Sequence, residues 1–386
     1  MIKVLITDGT YKNSLATLRS LGRKNYWVDV TTSYPRYFSL CSYSKYHKKI
    51  FRITSSLDDT DSYAEELIKI IEKEKHNVFI PVGLKSYLAV ARYKKDFESL
   101  TGVLVPDWKE MIIASNKDKT MNFAKKIGIP TPATHIIDDE KEIDEITKFP
   151  VVIKSSDEAS KSIRYCNNKT ELITRYQELK KTAKTKIIAQ EYIKGFGCGF
   201  YGVYKNGKLI AHFLHKRIKE FPITGGPSAV AEAYYDEKLY MYGKKLCDSL
   251  RWNGPIMAEF KYDAEENDYK LIEVNPKLWG SLDLTIQAGV DIPKILVDLI
   301  LNGKTDYKGY NYIKFRWVFP DEFKVLVSDF SIENLKKFIQ RDKDTKTNIT
   351  LEDFGPVIIQ VFIGMIESLE ILVNKNKMYP HGRVKT

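Results

Sequence analysis

The stretch Met257–Gly280 reads MAEFKYDAEENDYKLIEVNPKLWG. Its two flanks, MAEFKY and YKLIEV, alternate polar and apolar residues as β-strands do, and the acidic, asparagine-containing segment between them predicts a turn. Glu259 and Glu273 lie symmetrically about that turn, so a hairpin would place them opposite each other. Because like charges directly opposite each other are destabilising, the pattern predicts a cation between the two carboxylates.

Asn275 adds an amide oxygen to the same predicted site. Side chains repeat every two residues along a strand, so Asn275 shares the face of Glu273, whereas Ile272 and Val274 point towards a core. Two carboxylates and an amide oxygen are ligands that suit Mg²⁺, particularly when substrate phosphates complete its shell. The alternative is a solvated hairpin face that carries charges without binding a metal.

The composition describes a globular protein in a reducing compartment. The 386 residues allow two or three domains, and 43% of them are hydrophobic and 29% charged. The four cysteines contain no C-x-x-C pair, which argues against a disulfide framework and a zinc ribbon. The N-terminal segment MIKVLITDGT lacks the long apolar run of a signal peptide. We therefore expect a cytoplasmic protein.

The net charge of +11 raises the question of nucleic acid or an anionic membrane as partner. The lysines are spread along the chain, and no basic run is interleaved with aromatic residues, so we expect no nucleic-acid partner. A modest positive field also suits a polyphosphate or an acidic small molecule.

The apolar stretch Pro356–Val373 predicts a buried helix near the C-terminus. Its unbroken apolar part is interrupted by Gln360, Glu367 and Glu370 and is too short to span a bilayer, so no integral membrane span is expected. The alternative is an amphipathic helix on the surface, followed by the basic residues Lys375, Lys377, Arg383 and Lys385.

Residues 1–112 predict a parallel sheet, because strand and helix patterns alternate. Strands are predicted at Lys3–Thr7, Trp27–Thr31 and Val78–Val82, and helices at Ser14–Leu21 and Tyr63–Lys73. The Asp8–Gly9 turn does not match a dinucleotide-binding fingerprint.

A second region, residues 113–301, mixes helices with more strands. Helices are predicted at Asn116–Ile127, Lys169–Lys181, Asp236–Leu250 and Ser281–Ala288, and strands at Lys148–Ser155, Ile187–Ile193, Phe200–Tyr204 and Leu209–His215. Residues 302–386 form a third region without a recognisable motif.

Several polar residues at predicted strand ends could bind a nucleotide. Lys154, paired with Lys117, would bring positive charge to a sheet edge where phosphates could bind, although either lysine alone is commonly a surface residue. The strand end Gln190–Ile193 could present backbone groups to a purine, with Glu191 accepting from its exocyclic amine. An ordinary strand end is the alternative.

The segment His215–Arg217 is predicted to end a strand before the loop EFPITGGPS. Arg217 could hold a γ-phosphate, and Gly225 and Gly226 could let the backbone approach a ligand. The alternative is a basic strand end followed by a flexible loop.

Taken in their order along the chain, the segments that contain these candidate residues resemble the ATP-grasp superfamily, in particular its carbamoyl-phosphate-synthase-like members. The resemblance covers about residues 1–300 and rests on five segments: NKDKT…AKKIGIPTP (116–132), FPVVIK (149–154), QEYIKG (190–195), HKRIKEFPITGGPS (215–228) and AEF…IEVNPKLWGS (258–281). It implies an α/β chain: a Rossmann-like pre-ATP-grasp domain (1–112), a two-lobed ATP-grasp domain (113–301) whose lid is mobile (about 120–190), and a small C-terminal module (302–386).

The resemblance also implies ATP and Mg²⁺ (or Mn²⁺) as cofactors and a role for each candidate residue. Lys117 and Lys154 would contact the phosphates and the adenine side, Glu191, Tyr192 and Ile193 would line the adenine pocket, and His215 and Arg217 would lie near the triphosphate. Glu259, Glu273 and Asn275 would hold the metal; Arg217, Lys277 and Asn275 would be catalytic; Gly225, Gly226, Trp279 and Ser281 would shape the substrate side.

The implied activity is that of a ligase that phosphorylates a carboxylate with ATP and passes the acyl group to an amine or a thiol. Its partners would be these small molecules, and a homo-oligomer is compatible with the sequence. The alternatives are a bicarbonate-dependent, carboxyphosphate-forming carboxylase and a regulatory ATP-binding protein without turnover.

The sequence departs from the family pattern at three points. Loop 155–163 contains no glycine, and lysine stands at 277 where the family usually has arginine. No clear acid follows the adenine strand for the ribose hydroxyls, and Cys198 falls near that position.

Overall fold

The structure is a computed structural model that describes residues 1–155, 163–183, 185–223, 225–340, 342–374, 377–382 and 384. In these ranges the chain forms three β-sheets. The first sheet contains the parallel strands β1 (Lys3–Ile6), β2 (Trp27–Thr32), β3 (His47–Arg52) and β4 (Val78–Ile80), in the order β3-β2-β1-β4. Its helices are α1 (Lys12–Gly22), α2 (Thr60–Glu74), α3 (Leu84–Arg92), α4 (Lys94–Leu100) and α5 (Trp108–Ala114).

The parallel sheet confirms the α/β prediction for this part of the chain. Strand β3 was not predicted. It is an edge strand with the sequence HKKIFR, and none of its residues is fully buried. An exposed edge does not require the apolar pattern by which a strand is recognised.

The second sheet is antiparallel and follows helix α6 (Lys117–Lys126). It contains β5 (Thr134–Ile137), β6 (Val151–Ser155), β7 (Ile163–Cys166) and β8 (Ile187–Glu191), in the order β5-β8-β6-β7, with α7 (Lys169–Lys180) packed against it. A separate small core, which includes Ile153, Leu172 and Tyr176, lies between the sheet and this helix.

The third sheet contains the predicted hairpin with Glu259 and Glu273. Its strands are β9 (Gly197–Lys205), β10 (Lys208–Glu220), β11 (Ser228–Ala233), β12 (Gly254–Asp263), β13 (Asp268–Asn275), β14 (Lys314–Arg316) and β15 (Thr345–Thr347). The order is β13-β12-β9-β10-β11-β14-β15. Helices α8 (Glu237–Ser249), α9 (Leu282–Gln287) and α10 (Ile292–Asn302) connect these strands. The predicted end of β10 at His215–Arg217 is wrong, because the strand continues to Glu220 by pairing with β11.

The C-terminal residues extend this third sheet. Strand β14 pairs with β11, and β15 pairs with β14. Three helices accompany them: α11 (Phe323–Ser328), α12 (Ile332–Ile339) and α13 (Phe354–Val373). The domain limits 1–112, 113–301 and 302–386, with a mobile lid at about 120–190, stay predictions.

Helix α13 is not the buried helix that the sequence predicts. Only a third of its most apolar window is buried, and large apolar side chains cover its outer face. Of the helices that the structure describes, it alone is long and apolar enough to cross a membrane by length and composition. Apolarity along a sequence indicates that a helix needs contacts, but it does not show whether the chain itself supplies them all.

Candidate functional site

The hairpin brings Glu259 and Glu273 together as predicted. Strands β12 and β13 are antiparallel, and Glu259 lies directly opposite Glu273, just before a register shift at Phe260. Each carboxylate has a cationic neighbour: Arg217 Nη2 lies 2.6 Å from Glu259 Oε2, and Lys117 Nζ lies 3.4 Å from Glu273 Oε2. The repulsion expected between the two glutamates is thus offset by cations from β10 and from the start of α6.

The surroundings shift the pKa values of the two carboxylates in opposite directions. Burial raises the pKa of Glu259, and the charge of Glu273 adds to this, although Arg217 opposes it. Burial also opposes ionisation of Glu273, but Lys117 and Lys154 outweigh it and hold the pKa of Glu273 below its usual value. A divalent cation beside both would favour the ionised form of Glu259, since opposite charge stabilises a carboxylate.

Asn275 lies on the same face, as the two-residue repeat predicts. Its Nδ2 donates to Glu273 Oε1 at 3.1 Å, and its Oδ1 accepts from Lys277 Nζ at 2.9 Å. Burial and the nearby charge of Lys117 lower the pKa of Lys277 to about 7. The three predicted metal ligands are therefore adjacent, with the lysine that stands at the family's arginine position beside them.

Lys154 completes a cluster of cations around the glutamates. Its Nζ donates to Gln190 Oε1 at 2.9 Å, and burial together with the charge of Lys117 lowers the pKa of Lys154 to about 8. Among the described residues, four cations converge on one face: Lys117, Lys154, Arg217 and Lys277. The charge of Lys117 repels those of Lys154 and Lys277. Such a cluster is stabilised by an anion, and the oxygen ligands beside it suit a divalent metal.

The predicted adenine strand ends beside this cluster. The backbone of Glu191 pairs with Ala133, and its carboxylate accepts from Ala133 N at 3.2 Å and lies 3.7 Å from Lys270 Nζ. The carboxylate of Glu191 is therefore directed to these two groups in the structure.

Lys261 contacts the end of the predicted adenine strand, and the sequence analysis did not identify this residue. Its Nζ donates to Ile193 O at 2.9 Å and lies 4.8 Å from the centre of the Tyr192 ring. The spacing of two residues from Glu259 would have placed Lys261 on the face of the metal ligands, because a strand repeats every two residues.

The glycine loop lies against Arg217 and the second sheet. Gly226 O accepts from Arg217 Nη1 at 3.3 Å, and a Cβ at Gly226 would lie 2.3 Å from Phe221 O. Gly225 has a φ of 118°, and a Cβ there would lie 2.9 Å from the hydroxyl of Tyr165 on β7. Of the glycine-free loop 155–163, only Ser155 and Ile163 fall within the described residues.

His215 contacts Ser281, one of the residues predicted to shape the substrate side. Its Nε2 lies 2.8 Å from Ser281 Oγ, and its ring stacks on Tyr201 with centroids 4.5 Å apart. Burial and the charge of Arg217 lower the pKa of His215 to about 3, so the ring is neutral at physiological pH. The Trp279 ring also contacts Tyr201, with centroids 4.8 Å apart. Cys198, which falls near the expected ribose position in the sequence, is buried.

Two family descriptions match overlapping parts of the chain. The RimK-like ATP-grasp domain matches residues 114–198, and the ATP-grasp family described as belonging to the biosynthetic pathway with Ter operon matches residues 173–317. Residues 114–317 of the chain are thus an ATP-grasp region. Together the two matches cover the second sheet, six of the seven strands of the third sheet, the facing glutamates and the cation cluster.

Curated relatives of this ATP-grasp protein include two kinds of enzyme. A D-alanine–D-alanine ligase of Fusobacterium nucleatum is 40% identical over 169 residues, which are 42% of this chain and 56% of the relative. The carbamoyl phosphate synthase large chain of Clostridium acetobutylicum is 22% identical over 262 residues, which are 64% of this chain and 24% of the relative. The chain thus spans between a quarter and just over half the length of these relatives.

Solved structures share the fold of this ATP-grasp protein. The biotin carboxylase domain of the 2-oxoglutarate carboxylase of Hydrogenobacter thermophilus, solved with MgADP and bicarbonate, superposes with a TM-score of 0.62 at 20% identity, covering 81% of this chain and 72% of that one. An L-amino acid ligase of Bacillus licheniformis gives a TM-score of 0.60 at 14% identity, covering 78% and 74%. At such identities the likeness shows the fold alone.

Proposed function

We propose that this ATP-grasp protein is a Mg²⁺- and ATP-dependent, ADP-forming ligase that activates a carboxylate as an acyl phosphate and transfers the acyl group to an amine or a thiol. The observation that carries the proposal is the pair of facing glutamates, Glu259 and Glu273, inside a cluster of four cations. Carboxylates and an amide oxygen suit a divalent metal, and the cations suit the phosphates that share it. The two kinds of curated relative are consistent with this chemistry.

In this proposal the chain acts by positioning and by charge. When bound, MgATP supplies the phosphoryl group and the metal charge that neutralises it. Glu259, Glu273 and Asn275 would hold the metal, while Lys117 and Lys154 would attract the phosphates. Arg217 and Lys277 would stabilise the charge that develops on the transferred group. Neither step requires a nucleophile from the protein, because the substrate carboxylate and the incoming amine perform both attacks.

The end of β8 would form the base side of the nucleotide site. Ile193 and Tyr192 would contact the adenine, and Lys261 fixes this segment by its hydrogen bond to Ile193 O. Ser281 and Trp279 would shape the side on which the acceptor binds. Since His215 is neutral and hydrogen-bonded to Ser281, it would orient that hydroxyl and would not pair with a phosphate.

The proposal predicts ADP release that depends on a carboxylate and an acceptor together. A screen of carboxylate and amine pairs should identify combinations that release one ADP per molecule of ligated product. Turnover stimulated by bicarbonate without any amine would favour a carboxylase instead. Tight MgATP binding without ADP release across a broad panel would favour a regulatory protein.

Nucleotide affinity should fall above pH 8. Lys154 has a pKa of about 8 in the free protein, so it is charged below that pH and neutral above it, and only the charged form attracts phosphate. Linkage predicts MgADP binding about tenfold weaker at pH 9 than at pH 7.5. Calorimetric titrations across this range measure the effect.

Lys154→Met should bind MgADP more weakly and lose the decrease in affinity centred near pH 8, while any decrease centred near pH 7, from Lys277, should remain. The matched control is Lys324→Met, since Lys324 is also buried but pairs with Glu367 at 2.7 Å. The assignment is wrong if Lys154→Met keeps the pH dependence of the unmodified protein.

A further inference from the structure

Helix α13 presents an uninterrupted apolar face to the outside. In this helix, which lies entirely within the described ranges, the exposed apolar positions fall within an arc of about 120° when 3.6 residues make a turn. They are Phe354, Ile358, Phe362, Met365, Ile366, Leu369, Leu372 and Val373. Leu369 is 63% exposed and Val373 89%. No charged residue falls inside the arc, so this surface is unlike an ordinary solvated helix face.

The opposite face attaches the helix to its own chain. A Cβ at Gly364 would lie 3.1 Å from the Phe319 ring, so the helix approaches this residue closely. Gln360 Oε1 accepts from Asn348 at 3.3 Å, and Glu367 pairs with Lys324 at 2.7 Å. These contacts hold the helix in place without using the outer face. The outer face is therefore rigidly presented and available to a partner.

Six of the eight exposed residues form pairs about the middle of the helix. Phe354 and Val373, Ile358 and Leu369, and Phe362 and Met365 each lie equally far from the point between Ile363 and Gly364. If two such helices pack antiparallel across a two-fold axis at this point, every one of these residues meets an apolar residue of the other copy. Such self-complementarity is what a two-fold interface requires.

A groove beside the helix extends this surface. It has a volume of about 600 Å³, and its lining includes Phe338 and Ile339 of α12 and Phe354, Ile358 and Phe362 of α13. In the antiparallel arrangement, the C-terminal half of the second helix lies over this groove.

We propose that the outer face of α13 and the adjoining groove form a symmetric dimer interface with a second copy of this chain. The eight exposed side chains provide on the order of 800 Å² of apolar surface per copy, which is the area that one partner buries in a stable interface. An anionic membrane fits less well. Helix α13 contains no Lys or Arg, the charge nearest its outer face is Glu370, and Lys377 beyond the helix is paired with Glu370 at 2.5 Å. Helices that lie on membranes carry basic residues on their polar face.

The dimer is tested by sedimentation equilibrium of the full chain. We expect a dimer at micromolar concentration, and Leu369→Glu should raise its dissociation constant at least about 100-fold, because two symmetry-related carboxylates would be buried against Ile358 of the other copy. Met241→Glu, at an exposed methionine of α8, should leave the constant unchanged. Equal effects of the two substitutions, or a monomeric unmodified chain, would overturn the proposal.

Cross-linking tests the geometry without adding a charge. The four native cysteines are buried, so an introduced surface cysteine is the accessible thiol. A short bis-maleimide should link two chains of the Met365→Cys variant to each other, whereas the Met241→Cys variant should not be cross-linked. If both stay single while the unmodified chain co-floats with vesicles of anionic phospholipid, α13 binds a membrane and the dimer is wrong.

Discussion

Glu273→Gln is expected to abolish the metal-dependent part of nucleotide binding and to lower ATP turnover by about 10²–10³-fold. The substitution keeps the shape of the side chain and an oxygen that accepts from Asn275, but it removes one of the two facing charges. Lys117, 3.4 Å from Glu273 Oε2, then loses its carboxylate partner. Repulsion between the remaining cations and a divalent metal is no longer offset at this position.

Binding can be measured before the substrates are known. Titration of Mn²⁺ into the protein with ADP, followed by the loss of free Mn²⁺ signal in electron paramagnetic resonance, should show affinity at least about 100-fold weaker in Glu273→Gln. Glu232→Gln is the matched control, since Glu232 is similarly half-buried, lies in the same sheet and pairs with Lys216 at 2.9 Å. If the folded Glu273→Gln variant binds Mn²⁺ and turns over normally, the metal site lies elsewhere.

Asp353→Ala is expected to destabilise the folded chain by about 3–5 kcal/mol, because it leaves a buried arginine without its partner. Arg19 of α1 donates to Asp353 Oδ2 at 2.8 Å and to Asp353 O at 2.9 Å, and the two side chains are 6% and 1% exposed. Ser44 Oγ and Lys45 N also donate to this carboxylate, at 2.8 and 2.9 Å. Asp353, at the start of α13, is thus bonded both to helix α1 and to the loop that contains Ser44 and Lys45.

Urea unfolding measures this effect, and the adjacent residue provides the control. Glu352 pairs with Arg23 at 2.8 Å but is 46% exposed, so Glu352→Ala should cost less than about 1 kcal/mol. Replacing both members of the buried pair, as Arg19→Met with Asp353→Leu, should recover much of the loss. Similar destabilisation by Asp353→Ala and Glu352→Ala would show that burial of the pair is not the cause.

The elements with strong local patterns were predictable from the sequence. The alternation of β12 and β13 predicted the hairpin, and Glu259 lies opposite Glu273 as expected, although a register shift after Glu259 offsets the pairs nearer the turn. Helices α6, α7 and α8 were predicted within a few residues because their caps and apolar repeats are local. By the same reasoning, Lys261 could have been found from its spacing to Glu259.

Other features depend on contacts between distant residues. The end of β10 at Glu220 is set by pairing with β11, and the edge strand β3 needs no apolar pattern of its own. The carboxylate of Glu191 is directed to Ala133 and Lys270 by neighbouring elements. His215 binds Ser281, 66 residues away in the chain. No local pattern contains these pairings.

The sequence by itself determined the α/β organisation, the facing glutamates and the set of residues that resembles an ATP-grasp site, because periodicity and turn chemistry act over a few residues. Only the tertiary structure decided which charges are paired, which are buried enough to shift their pKa, and which apolar faces remain outside. Burial and electrostatics depend on everything packed around a group. The outer face of α13, for which an apolar sequence alone predicted burial, is the clearest example.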